Sequence, residues 1–543
     1  RRQRQMCIRD RSTATALCGA NGRYIEMDYQ ETQMYGDVMA MFKKTWGDFT
    51  LDAAIGGSIN DRIRNSTRYD SKNASLKFAN VFNIANIIMN SSASIDQKID
   101  EHRQLQSIFG TAQIGYKEKL FLDLTARNDW ASTLAYTEHE KAGFAYPSVG
   151  LSGVISEMVQ LPAFIDYMKV RGSFSSVGMP YPRNLTSPTY EYDETNQGWK
   201  PKTHYPIGDL KPERTNSWEL GLDMRLFKDF NLGLSWYLAN TFNQTFDPQI
   251  SVSSGYSTIY LQTGYVRNTG IELSLGYNHT WNNNFHWDSN FTLSHNKNEI
   301  KELVRDYLHP ETGEIINKDR LEIGKLGKAK FILKEGGTLG DLYSQSDLKR
   351  DNNGMVEIDP SGALVVENNL DDIKLGTVFP KANLAWNNHF SWKGISLSAL
   401  ITARIGGIVY SATEAAMDQY GVSERSALAR DNGGVLLNGR TLVDAQTYYT
   451  AIGSESGLPQ YYTYSATNVR LQEASLGYTI PRKWLGNACD IQVSVVGRNL
   501  WMIYNKAPFD PEAVATTDNY YQGIDYFMLP STRNIGVNVK ITF

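Results

Sequence analysis

Apolar and polar side chains alternate along most of this chain, and the alternating runs are joined by links that are short and long in turn. A period of two sends successive side chains to opposite faces of a strand, so each run carries one apolar and one polar face. In the C-terminal run, Ile535, Val537, Val539, Ile541 and Phe543 share one face, and Gly536, Asn538, Lys540 and Thr542 share the other. The runs from Ile271 to Trp281 and from Phe285 to His295 are as regular. Ile271, Leu273, Leu275 and Tyr277 oppose Glu272, Ser274, Gly276 and Asn278, and Asn282 to Asn284 make the turn, where Asn tolerates left-handed backbone.

Short links fall near residues 46–49, 117–119, 227–230, 282–284, 334–337, 391–394 and 481–488, with a longer one at 157–166. Long links fall near 62–105, 131–145, 177–213, 244–265, 299–326, 347–379, 411–463 and 503–530. Short turns at one end and long loops at the other are the asymmetry of an outer-membrane barrel, periplasmic and extracellular respectively. The pattern predicts an all-β fold, an antiparallel transmembrane β-barrel of about eight hairpins and a final strand, roughly 17 strands. Bacterial barrels normally close on an even number, so the odd total predicts strands missing from the front. The strand from Val469 changes phase: Val469 and Leu471 are odd, Ala474, Leu476, Tyr478 and Ile480 even. A bulge near Gln472 and Glu473 reconciles them.

Composition agrees. Apolar residues make up 41% of the 543, mean hydropathy is −0.40, and no stretch approaches the roughly 18 apolar residues that a spanning helix needs. A barrel escapes that test because only alternate residues meet lipid. The net charge of −4, with Lys and Arg dispersed, leaves no electrostatic footprint for nucleic acid. Cys7, Cys18 and Cys489 form neither a disulfide framework nor a zinc spacing. Position 1 is not Met, no signal peptide is recognisable, and residues 1–11 read as translated non-native sequence. Residues 1–23 are therefore expected to be a non-native or disordered leader, and 24–543 a partial barrel.

Catalytic and metal signatures are missing. No HExxH, GxSxG or P-loop occurs, and Gly324-Lys-Leu-Gly-Lys328 is too short to cradle phosphate. His279, His286 and His295 fall on adjacent strands, but His279 shares a face with Trp281 and suits an interface belt. Asp351-Asn-Asn-Gly354 resembles the opening of a calcium loop, yet Met355 stands at the third ligand position and no Glu at the twelfth, so a turn is expected. Asp371 and Asp372 read as solvated loop carboxylates. No enzyme activity, cofactor or metal is expected.

Two groups of aromatics stand out. Trp46, Trp281, Trp392 and Trp484 lie beside short turns, and Trp130, Tyr146, Trp501 and Tyr504 beside long loops, as two membrane-interface girdles require. Tyr181, Tyr190, Tyr192, Trp199 and Tyr205 crowd one long link. Tyr448, Tyr449, Tyr461, Tyr462 and Tyr464 crowd another, and Tyr520, Tyr521, Tyr526 and Phe527 the last. Flat rings with a polar edge suit sugar faces, peptides or a protein lid; they equally suit loops packed on themselves.

Several segments together resemble the barrel of SusC/RagA-type TonB-dependent transporters of Bacteroidetes. They are Arg127-Asn-Asp-Trp130, Tyr146-Pro-Ser-Val149, Met168-Lys-Val-Arg-Gly-Ser-Phe174, Leu210-Lys-Pro-Glu213, Glu219-Leu-Gly-Leu-Asp223 and Asn268-Thr-Gly-Ile-Glu272. Asn468-Val-Arg-Leu-Gln-Glu-Ala-Ser-Leu-Gly-Tyr478, Gly497-Arg-Asn-Leu500, Asp510-Pro-Glu512 and Pro530 continue the order. The resemblance implies a 22-stranded outer-membrane barrel around an N-terminal plug, a SusD-like surface lipoprotein as lid, TonB engaging the plug, and import of glycan or peptide oligomers. It also implies that the barrel-assembly machinery reads the C-terminal strand. Plug, TonB-contacting segment and first strands do not match any part of this chain, so transport is expected of a longer parent. A plug-free porin or adhesin, and a soluble all-β carbohydrate-binding protein, remain alternatives.

In the barrel reading Gln492, Ser494, Arg498, Arg404, Thr402 and Asn538 line the lumen, and Ile491, Val493, Val495, Ile395, Leu397 and Ile401 face acyl chains. Val537→Lys should therefore impair membrane insertion while Asn538→Lys is tolerated, because a mid-membrane Lys on the lipid face costs about 2–4 kcal/mol. Heat-modifiability on gels checks it; equal behaviour of the two variants contradicts the assignment of faces.

Overall fold

The computed structural model describes every residue except 1, 8–20, 73, 90–92, 136, 138, 180–189, 194–197, 202–203, 206–211, 247–257, 260, 282–283, 309–312, 314, 455–456, 487 and 517–521. Its main feature is one 16-stranded sheet in which neighbours pair antiparallel in chain order. The strands are β1 (Arg2–Cys7), β2 (Arg23–Trp46), β3 (Phe49–Asp70), β4 (Ser94–Tyr116), β5 (Leu120–Ala131), β6 (Phe144–Val154), β7 (Ile165–Met179) and β8 (Glu213–Leu226). They continue with β9 (Phe230–Phe246), β10 (Leu261–Thr280), β11 (Phe285–Glu302), β12 (Ala382–Trp392), β13 (Ile395–Ile405), β14 (Asn468–Ile480), β15 (Asp490–Asn505) and β16 (Asn534–Thr542). Each strand pairs only with strands next in sequence, which requires tight turns at one end; Gly47, Lys117, Phe227, Asn284 and Lys393 take positive φ there.

The alternation of faces holds across the sheet. On one face Trp287, Phe390, Leu397, Leu476, Val495 and Val537 form a row of directly paired neighbours from β11 to β16. On the other face Gln492 opposes Lys540, and Ser494 opposes Asn538. Gln472 is the extra residue between the pairs Leu400–Glu473 and Ile401–Leu471, so the bulge predicted there is present.

Two expectations are corrected. The turn at 334–337 does not join two strands of the main sheet: it lies in a single long link, 303–381, which folds into its own four-stranded sheet of Arg320–Leu326, Ala329–Lys334, Asp341–Leu348 and Val366–Thr377. Phe331, Ile332 and Leu333 are buried on both faces of their strand, whereas a strand lining a lumen is wet on one. Fifteen main-sheet strands, β2–β16, therefore follow residue 22, in place of the roughly 17 expected. The second correction is Asp372, which sits on a strand of that sheet and is buried against two cations. Arg2–Cys7 pairs with Arg23–Asp28 at the sheet's first edge.

Glycine notches let large side chains lie flat on the polar face. Arg171 crosses Gly221, where a Cβ would stand 2.2 Å from its Nε and 2.7 Å from its Cγ. Its guanidinium reaches Glu219 at 3.1 Å and the Ser235 hydroxyl at 2.7 Å. Gly221→Ala should cost about 1–3 kcal/mol, as overpacking does. Combined with Arg171→Ala, the loss should fall short of the sum of the two single changes, as measured by urea unfolding in detergent.

Candidate functional site

The polar faces of seven strands, β7 to β13, line one cavity of about 760 Å³. Arg171, Asp223, Ser235, Glu272, Ser274, Thr292, Ser294, Asn383, Thr402 and Arg404 contribute from those strands, Gln472 from the bulge, and Glu512 from the long link above. Thr402 and Arg404 are thus where the alternation placed them. Register explains the convergence: residues of one parity on neighbouring strands face the same side, so a polar wall follows from seven sequence-adjacent strands in one meander.

Three long links, 303–381, 406–467 and 506–533, share one hydrophobic core that contains Phe331, Leu342, Tyr410, Ile452, Tyr462 and Ile524, and the last of them reaches the cavity at Glu512. Helices α1 (Ala412–Gln419), α2 (Glu424–Asp431) and α3 (Ala445–Gly453) start on the side chains of Ser411, Ser423 and Asp444, each accepting from an amide three residues on. Asp418 at the end of α1 is buried; it accepts from the Tyr462 hydroxyl at 2.9 Å and pairs with Arg425, whose guanidinium lies over the Tyr462 ring. Arg320 grips Asp372 through two hydrogen bonds of 2.6 and 2.9 Å, and Lys334 adds a contact of 2.9 Å. The Arg320 hydrogen bonds hold the Asp372 carboxyl well below the usual carboxylate range against the opposing pull of burial.

The loop aromatics separate into groups. Tyr462 is fully buried and Tyr449 nearly so, which assigns both to the core of the loop unit and corrects their placement among surface-binding rings. Tyr464 is half-buried and donates to Glu414. Tyr448 and Tyr461 keep partial exposure; Tyr461 receives a long contact from Arg350 at 3.5 Å, and burial pushes the Tyr448 phenol up to about 12. Tyr190, Tyr192 and Trp199 lie on two short paired strands, and Tyr205 on another short strand. Tyr181, Tyr520 and Tyr521 lie outside the described residues. Asp351-Asn-Asn-Gly354 is the turn expected of it: the Asp351 carboxylate accepts from the amides of Asn353 and Met355. Among the described residues no cluster of metal-ligating side chains occurs.

At the short-turn end, a run of rings joins neighbour to neighbour across four strands, β9 to β12, from Phe230 through Tyr277, Trp287 and Phe390, and through His279, Trp281 and Phe285. Trp46, Trp281, Trp392, Trp484 and Trp501 are exposed, while Trp130 is half-buried and donates to the Lys141 carbonyl at 2.9 Å. Ile535, Val537, Val539, Ile541 and Phe543 are all exposed at the sheet's last edge.

Segments far apart in sequence meet in pairs. Arg127 and the Tyr146 hydroxyl both bind Asp129, and Arg470 binds Asp510 at 2.8 Å and Glu512 at 3.2 Å. The TonB dependent receptor-like, beta-barrel family profile matches residues 8–450.

The chain belongs to that family.

Its place is the bacterial outer membrane, and it is similar to proteins of the SusC/RagA type. TonB-dependent receptor P3 of Formosa agariphila is 24% identical over 472 residues, 80% of this chain and 45% of the relative. TonB-dependent receptor SusC of Bacteroides thetaiotaomicron is 20% identical over 306 residues, 52% of this chain and 29% of SusC. The structure of the RagAB peptide importer in the 'closed-closed' state superposes with a TM-score of 0.74 at 18% identity, covering 96% of this chain and 57% of that one, and so shares the barrel fold. The chain spans less than half the length of these two curated relatives.

A depressed carboxylate contributes stability that is complete above its unfolded pKa and is lost as pH falls through the folded one. The Asp372 clamp should therefore hold from neutral pH down to about pH 4 and loosen only below it. Asp372→Asn should weaken the loop unit by about 2 kcal/mol at pH 7 through its charged hydrogen bonds, seen as faster limited proteolysis of residues 303–381.

Proposed function

We propose that the protein is the barrel of a TonB-dependent importer that carries nutrient oligomers, oligosaccharides or peptides, across the outer membrane. The observation that carries this reading is the set of polar side chains that β7–β13 turn into one cavity, with Glu512 of the folded loop unit at its rim: in this reading, a hydrated passage closed above by protein rather than by open, solvated loops. Energy would reach it through TonB acting on the N-terminal part of the longer parent, and a SusD-like surface lipoprotein would complete the lid. The RagAB structures, described as a peptide transporter in open and closed states, support a two-component import cycle.

Within this reading, Tyr448 and Tyr461 offer partly exposed rings to cargo, and Tyr181, Tyr190, Tyr192, Trp199, Tyr205, Tyr520 and Tyr521 remain candidate contacts on the sequence alone. Trp46, Trp281, Trp392 and Trp484 would sit at the periplasmic headgroups, Trp130 and Trp501 at the outer ones. The apolar C-terminal strand ending in Phe543 would present itself to the barrel-assembly machinery. The relatives carry receptor names, and no catalytic role is assigned to any residue.

Deleting the encoding gene should abolish cellular uptake of one class of labelled oligomer while uptake of the corresponding monomer is unchanged. A protonophore should abolish the same uptake in the parent strain. Oligomer entry that survives the protonophore would instead mark a passive pore.

A further inference from the structure

The cavity wall contains one row of directly paired residues that runs across the strands: Glu272 on β10, Ser294 on β11, Asn383 on β12 and Arg404 on β13. All four side chains line the same cavity. The other charges there are matched, Arg171 by Glu219 and Asp223, and Glu512 by Arg470. Glu272 and Arg404 make no ion pair among the described residues. Arg404 gives one hydrogen bond to the Val378 carbonyl, and its buried Nε has no partner. Arg404 feels the Glu512 carboxylate without an ion-pair contact, and Glu272 is exposed to solvent; a cation and an anion thus stand at the two ends of a hydroxyl and a carboxamide, three strand spacings apart, about 14 Å.

We propose that this row is a charge-polarised subsite for a zwitterionic oligomer, Arg404 taking a carboxylate and Glu272 an ammonium group, with Ser294 and Asn383 hydrogen-bonding the polar backbone between. The span equals about four residues of extended peptide. A neutral glycan of the same length satisfies the middle of the row and offers no counter-charge to either end. The assignment rests on the importer reading of the lumen, but binding to the purified protein tests it without TonB or energy.

Tetra-alanine, its N-acetyl and C-amide forms, and maltotetraose are titrated calorimetrically into the purified full chain in detergent, with heat-modifiability as the check on folding. Free tetra-alanine should bind, and each cap should weaken it about tenfold, the effect of losing one charged hydrogen bond. Arg404→Gln should remove the penalty of the C-amide alone, and Glu272→Gln that of the N-acetyl alone. Maltotetraose should bind more weakly than tetra-alanine and respond to neither change. The proposal is overturned if tetra-alanine does not bind, if the capped forms bind equally well, or if folded variants leave both penalties in place. Loss of cellular uptake with these preferences intact would overturn the importer reading and not the subsite.

Discussion

Every backbone amide and carbonyl that crosses hydrocarbon needs a partner, because lipid offers none, and the antiparallel ladder between sequence neighbours supplies it here. From β2 to β16 each strand is hydrogen-bonded to the next, so the sheet is built from local pairings in chain order. The arrangement leaves side chains to two solvents. Valine, leucine and tryptophan rows meet one face, and serine, asparagine and charged residues the other.

The same chain solves a different problem above the sheet. There the backbone is in water, but the links are too long to remain unsupported, and they bury their own apolar residues. Three of them pool side chains into one core, pinned by Asp418 with Tyr462 and Arg425 and by Asp372 with Arg320 and Lys334. These carboxylates are partnered throughout, which is what makes their burial tolerable. Second pins tie the unit to the sheet: Arg470 on β14 holds Asp510 and Glu512, so the last link returns over the cavity. Glycines at Gly221 and Gly270 serve the wall beneath, giving Arg171 and Tyr237 room to lie along it.

The two halves meet at one cavity, lined by polar side chains of seven strands and reached from the loop unit by Glu512. Ion pairs join most of the charges in the cavity, and Glu272 and Arg404, which make none among the described residues, mark the ends of a single cross-strand row.

Strand existence, face assignment and the bulge at Gln472 were legible in the sequence, because a period of two and a change of phase are local properties of consecutive residues. The motifs that carry the family resemblance were legible too, though not that Arg470 would meet Asp510 or Asp129 would meet Tyr146. What alternation could not distinguish was a strand lining a lumen from one packed in a watery loop. Ala329–Lys334 reads like the former and is the latter, since its second face is covered by residues from links far along the chain. For the same reason Tyr462 reads as a surface ring and is core. Whether a side chain meets lipid, water or protein is decided by what lies opposite it, and over distances of a hundred residues only the tertiary structure brings those partners together.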